Sequence, residues 1–188
     1  MEKKTHYFYA LKLPANVKLQ LKEISNNLQS TCSFARWVHP EDYHITLAFL
    51  GHAEQEQLKA SIKFVQEAIQ LQHSFSLTIN QLGVFGKKDS PRIFWADVEN
   101  EKRLFEIRKL VYAACIKAQF SLETRPFHPH ITLARKWVGN QPFSDDFLVN
   151  NNPFATEPIP FMANEIVLYQ THLEKNPKYE VKESFFLQ

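Results

Sequence analysis

Two cysteines, four glycines and no long apolar run set the first limits on this 188-residue chain. Cys32 and Cys115 are far apart and fit no metal-ligand or redox spacing, so both read as reduced thiols of a cytoplasmic protein. No apolar stretch approaches the roughly 18 residues that a membrane span needs. The opening, Met1 to Thr5, does not read as a signal peptide. No linker rich in Gly, Ser or Pro separates the halves, and no low-complexity tract or short-period repeat is present. Residues 1–188 are therefore expected to form a single domain of two lobes. The net charge of +2 permits a nucleic-acid ligand without arguing for one. Hydrophobic content of 44% and charged content of 22% suit a globular core, and some of the 16 Phe are free to stack on a ligand.

One stretch occurs twice. His44-Ile45-Thr46-Leu47-Ala48 returns, 86 positions on, as His130-Ile131-Thr132-Leu133-Ala134. Both copies are β-branched and apolar, with no Gly or Pro, which is strand composition. Side chains alternate along a strand, so His44 and Thr46 share one face while Ile45 and Leu47 enter a core. The second copy repeats this with His130, Thr132, Ile131 and Leu133. A lone His-x-Thr is more simply a strand-end histidine bonded to a backbone carbonyl. Five identical residues, twice in so short a chain, point instead to two polar pairs placed opposite each other.

The remaining pattern places these strands. Residues 6–13 read as a strand and 15–29 as a helix with stripe Val17, Leu21, Ile24 and Leu28. Phe34 to Val38 is a short strand, Pro40-Glu41-Asp42 a turn, and 43–50 the first motif strand, ended by Gly51. A second helix spans about 54–70. Residues 75–80 alternate as a strand, Gly83 to Pro91 read as a loop, and Ile93 to Val98 as a strand. Asn100 is placed to cap a helix over 101–119 with stripe Leu104, Ile107, Val111 and Cys115. Phe120 to Arg125 has some strand character, and 129–136 is the second motif strand. Residues 137–160 read as a long loop with one helical turn, and Glu165 to Thr171 and Tyr179 to Phe186 as the last strands. The expected architecture is α+β: a bilobal, pseudo-symmetric fold whose two antiparallel sheets face a central cleft, with helices on the outer faces.

Two histidines facing one site suit phosphoester cleavage, which needs one proton taken and one given. Imidazole titrates near 6.5, so both forms are available at neutral pH. In-line attack puts nucleophile and leaving group on opposite sides of phosphorus, as opposed lobes require. The Thr46 and Thr132 hydroxyls are placed to donate to the charged oxygens. Arg125, Arg135 and Arg92 are candidate phosphate contacts. Arg135 belongs on the opposite strand face unless the strand twists or bulges there, and a surface ion pair is as plain a reading of it as a phosphate contact. Phe127, Phe85, Tyr7 and Trp37 are candidates to stack a base, although core packing is the plainer reading of each alone. His128-Pro129-His130 invites a zinc reading, but no carboxylate or cysteine has matching ligand spacing, and no metal is expected.

These residues resemble the two-histidine phosphoesterase superfamily, marked by two His-x-Thr/Ser-x motifs. HITLAFLG over His44 to Gly51 and RPFHPHITLAR over Arg125 to Arg135 are similar to the bacterial and archaeal RNA 2′,3′-cyclic phosphodiesterases, also called the LigT-like or 2′-5′ RNA ligase family. Tyr7 to Pro14, Pro91 to Trp95 and Glu165 to Tyr169 extend the likeness along nearly the whole chain. The resemblance implies no metal or nucleotide cofactor and, as partners, RNA ends or nucleotides with a 2′,3′-cyclic phosphate; no obligatory protein partner is evident in the sequence. It further implies opening of the cyclic phosphate to a 2′-phosphate, with His44 as proton donor to the 3′ oxygen and His130 as the base on water. ATP-independent joining of RNA halves uses the same chemistry with a 5′-hydroxyl in place of water. An RNA-binding module without turnover would not need both motifs intact. One departure is His6, where the family's first strand is expected to carry Arg, so another cation must serve any contact made there.

Overall fold

The structure, a computed structural model, describes residues 5–188; Met1 to Lys4, on which the reading of the opening largely rests, lie outside them. The first half contains β1 (His6–Lys12), α1 (Ala15–Gln29), β2 (Phe34–Trp37), β3 (His44–His52) and α2 (Gln55–Ile69). Next come β4 (Phe75–Lys87), β5 (Ser90–Val98), α3 (Lys102–Lys117) and β6 (His130–Trp137). The chain finishes with α4 (Asp146–Asn150), β7 (Ile159–Ala163), β8 (Glu165–Thr171) and β9 (Tyr179–Phe186).

Among the described residues the sheet order is β7-β4-β5-β6-β3-β1-β8-β9, with β2 added to the far end of β6. The order reads alike outward from the β6–β3 seam, which is the pseudo-symmetry the doubled motif implies. The two expected sheets are in fact joined into one, because the motif strands pair with each other at Ile45 and Ile131. Among the described residues β3 and β6 pair there alone, so the strands splay on either side of it. Both isoleucines are fully buried, and burial of each stabilises the junction by about 1.5–3 kcal/mol.

The helices bury the stripes the spacing marks. Val17, Leu21 and Leu28 of α1, Val65 and Ile69 of α2, and Leu104, Ile107, Val111 and Cys115 of α3 enter one core. α3 packs against both β3 and α2. The cap of α3 is Glu101, whose carboxylate accepts from the Arg103 N–H at 3.0 Å, and not Asn100.

Two stretches read as loops contain strand, and one read as strand is loop. Gly83 to Pro91 is mostly strand: β4 runs to Lys87 and β5 starts at Ser90, leaving Lys88-Asp89 as the hairpin turn. Gly83 is there because the Trp95 indole lies across it, and a Cβ would sit 2.2 Å from that ring. Residues 120–125 form no strand. Within 137–160 lies the start of β7, whose Pro160 sits on a strand that pairs with β4 alone, where its missing donor costs no ladder bond.

Candidate active site

The two copies of the motif fold alike. Each reads half-buried, buried, half-buried, buried, buried over its five residues. Each also carries a register shift at its leucine. Thr46 and Ala48 pair with the successive β1 residues Ala10 and Tyr9, and Thr132 and Ala134 with the successive β5 residues Trp95 and Phe94. Leu47 and Leu133 are thus extra residues, and the alternation flips beyond them. The bulge carries the sixth residue of each copy back to the histidine face. That residue is Phe49 in the first copy and Arg135 in the second. Arg135 is exposed, and its charge acts on both His44 and His130. The bulge required for Arg135 to join the site is present.

His44 stands on a buried foundation. Its Nδ1–H donates to the Asp42 carbonyl at 2.7 Å. That tautomer leaves Nε2 to accept from the Thr46 hydroxyl at 3.0 Å. Asp42 is 4% exposed, and its carboxylate accepts from the Lys178 and Tyr179 N–H groups at 2.9–3.1 Å. Lys18 of α1 donates to the Glu41 carbonyl at 2.7 Å, securing the same turn. Phe8, Tyr169 and Tyr179 surround the ring with centroids at 4.8, 5.7 and 5.2 Å. Burial lowers the His44 pKa to about 4, and the positive charges of His130, Lys18 and Arg135 add to the fall against the opposing Asp42 carbonyl.

His130 is held from an exposed loop. Its Nδ1–H donates to the His128 carbonyl at 2.8 Å, and Thr132 makes no bond to it among the described residues. Phe85, Trp95 and His128 surround the ring at 4.9, 6.2 and 6.5 Å. Burial lowers its pKa too, with His128 and Arg135 adding and the His128 carbonyl and Asp97 opposing. In both copies Nδ1 is committed to the backbone; His130 lines a cleft beside Thr46, whereas His44 lies outside that lining and reaches it through the Thr46 hydroxyl. The carbonyl-bonded reading of a strand-end histidine therefore holds for both, and it fixes the tautomer that leaves Nε2 for chemistry.

A cleft of ≈ 530 Å³ opens beside Thr46, Phe49, His128 and His130. Of the residues expected at the site, Arg125 and Phe127 line it, as does Phe85. Arg125 is paired with Glu123. Thr132 is half-buried on the His130 face outside that lining, and Arg92 is exposed on β5, also outside it. Trp37 packs into the core against Phe34 and Phe94, and Tyr7 also packs on the core. His6 lies edge-on to Phe49 at 5.9 Å. Arg108 and Tyr112 of α3 line the cleft as well and were not legible, since nothing in a helical stripe marks which outer residue meets a distant strand. Asp42, read only as a turn residue, is the buried anchor of His44. Its signal was its place two residues before the motif.

The chain belongs to the LigT-like phosphoesterase family: the model described as LigT like Phosphoesterase matches residues 11–95 and 97–179. Its relatives include a Geobacillus stearothermophilus protein named RNA 2′,3′-cyclic phosphodiesterase, 43% identical over 183 residues. That match covers 97% of this chain and 57% of the relative, so the chain spans less than two thirds of that protein's length. A Bacillus subtilis protein of the same name is 35% identical over 175 residues, 93% of this chain and 92% of the relative. The crystal structure of E. coli LigT complexed with 3′-AMP has the same fold, with a TM-score of 0.81 at 23% identity over 99% of both chains.

Proposed function

We propose that this chain is an RNA 2′,3′-cyclic phosphodiesterase that opens the terminal cyclic phosphate to a 2′-phosphate between His44 and His130. The observation that carries the reading is the seam. About the Ile45–Ile131 pair, antiparallel register sets His44 across from Thr132 and Thr46 across from His130. That register supports a site in which the two lobes each offer one imidazole, His130 directly from the cleft lining and His44 beside Thr46. The relatives named for this activity support the same reading.

Water attacks phosphorus as His130 Nε2 takes its proton. The P–O3′ bond breaks as His44 Nε2–H gives its proton to O3′, leaving a 2′-phosphate and a 3′-hydroxyl. Proton exchange with solvent resets the pair. In the free protein His44 is neutral near pH 7, because its pKa is about 4. An arriving phosphate anion screens Arg135 and Lys18 and favours the imidazolium, so substrate binding charges the acid. Arg135 supplies the cation that His6 does not. Residues 1–188 act as one domain in this scheme, since each lobe contributes one proton carrier.

The test is product analysis by 31P NMR with adenosine 2′,3′-cyclic phosphate, with and without chelator, and with cleaved tRNA halves. Adenosine 2′-phosphate, formed equally well in EDTA, is the expected product. A 3′-phosphate, or activity abolished by EDTA and restored by a divalent ion, overturns the two-histidine scheme. Joined RNA halves would identify a ligase.

A further inference from the structure

α3 brings Arg108 and Tyr112 to the cleft wall one helical turn apart. The Arg108 guanidinium lies 4.1 Å over the Tyr112 ring and 5.4 Å from the Phe127 ring. Its Nε is buried and has no hydrogen-bond partner. Among the described residues the cleft lining includes one carboxylate, Glu123, and Arg125 already holds it. A guanidinium stacked on two rings is fixed in plane, and its one buried donor, Nε, carries an uncompensated desolvation cost. Guanidinium presents parallel donors matched to phosphate oxygens.

The substrate's own chemistry says which phosphate this is. In a terminal nucleotide the cyclic phosphate sits on O2′ and O3′, and the 5′-oxygen projects from the other side of the ribose. With the cyclic phosphate at the Thr46 and His130 end, where Phe85 packs on His130, a 5′-oxygen directed away from the motifs passes along the wall that Phe127 shares with Arg108. We propose that Arg108 is a second phosphate subsite, which recognises the phosphate on the 5′-oxygen of the reacting nucleotide; this rests on the function proposed above. The subsite makes the enzyme prefer ends that carry a 5′-phosphate or a preceding phosphodiester over a bare cyclic nucleoside phosphate.

The test compares kcat/KM for three adenosine substrates: the 2′,3′-cyclic phosphate alone, the same with a 5′-phosphate, and the dinucleotide ending in the cyclic phosphate. Wild type should favour the latter two by about 10-fold, carried by KM, the low end for a charge-assisted hydrogen bond. Arg108→Gln should bring the ratio close to unity, and Arg108→Lys should retain part of it, with melting curves confirming that both fold. A gain with the dinucleotide identifies an RNA backbone as the source of the phosphate, and a gain confined to the 5′-phosphate identifies a free nucleotide. Calorimetry reads the same ratio without turnover, by comparing adenosine 2′,5′-bisphosphate with adenosine 2′-phosphate. A wild-type ratio of one in both measurements, or a ratio that Arg108→Gln leaves unchanged, overturns the subsite. If none of the three substrates is hydrolysed the proposed function fails, and the calorimetric ratio still decides whether Arg108 holds the 5′-phosphate.

Discussion

His44 and His130 begin the same five residues, share the same bulge and bond to a carbonyl two residues back, yet they sit in different surroundings. Behind His44 is a buried carboxylate tied to the start of β9, and behind His130 an exposed loop. Around His44 are Phe8, Tyr169 and Tyr179; around His130 are Phe85, Trp95 and His128. Past the bulge one copy offers Phe49 and the other Arg135. Local sequence places a group, and the tertiary surroundings set its proton affinity. Two equal histidines thereby become unequal ones, a difference that the proposed acid and base duties would use.

The largest effects should come from removing either imidazole. His44→Ala and His130→Ala should each lower kcat/KM by about 100- to 10,000-fold. The double variant should be little worse than the worse single, because the two act as a unit. Thr46→Val and Thr132→Val should cost less, at most about 100- to 1,000-fold. Thr46→Val should be the worse of those two, since only Thr46 bonds its own histidine. Equal losses from Thr and His changes in folded protein would give the hydroxyls a chemical role.

Acid should separate the copies next. The folded pKa of His44, about 4, lies below the unfolded 6.5. The folded state therefore binds fewer protons, and the stability this contributes above pH 6.5 is lost as pH falls toward 4. The loss is about 3 kcal/mol at most. Melting curves from pH 7 to 4 should show a smaller decline for His44→Gln than for wild type, and parallel declines would contradict the assignment.

The foundations should differ by a smaller amount. Asp42→Asn removes one acceptor oxygen from three backbone contacts and should cost about 2 kcal/mol, a fall of several degrees in Tm. His128→Ala keeps the carbonyl that His130 uses and should change stability by about 0.5 kcal/mol or less. Smallest should be Phe49→Ala, a few-fold rise in KM if a ring at the cleft mouth only contacts the base, measured with the cyclic nucleotide.

The motif strands, the three long helices and most of the other strands were legible because each follows a period of two or near 3.6. Gly83 and Gly86 mimicked loop punctuation. One makes room for Trp95, and the other, at φ +114°, sits at a register shift inside the hairpin. The α+β class was legible, as was the alternation that puts His44 and Thr46 on one strand face. The seam pairing that fuses the two sheets was not, because Ile45 and Ile131 read the same whether they cross a cleft or share a ladder. Arg135 was legible only conditionally, since periodicity cannot show a bulge. Arg108 and Tyr112 were hidden, because their meaning depends on α3 lying against β3.

The most direct measurement is an NMR titration of the His44 and His130 ring protons, free and with adenosine 2′-phosphate bound. In the free protein His44 should titrate near pH 4 and His130 at a separate value below 6.5. Bound phosphate should move His44 upward, as a nearby anion favours the imidazolium. Two histidines that titrate together near 6.5, or a His44 indifferent to the phosphate, would contradict the division of one motif into an acid and a base.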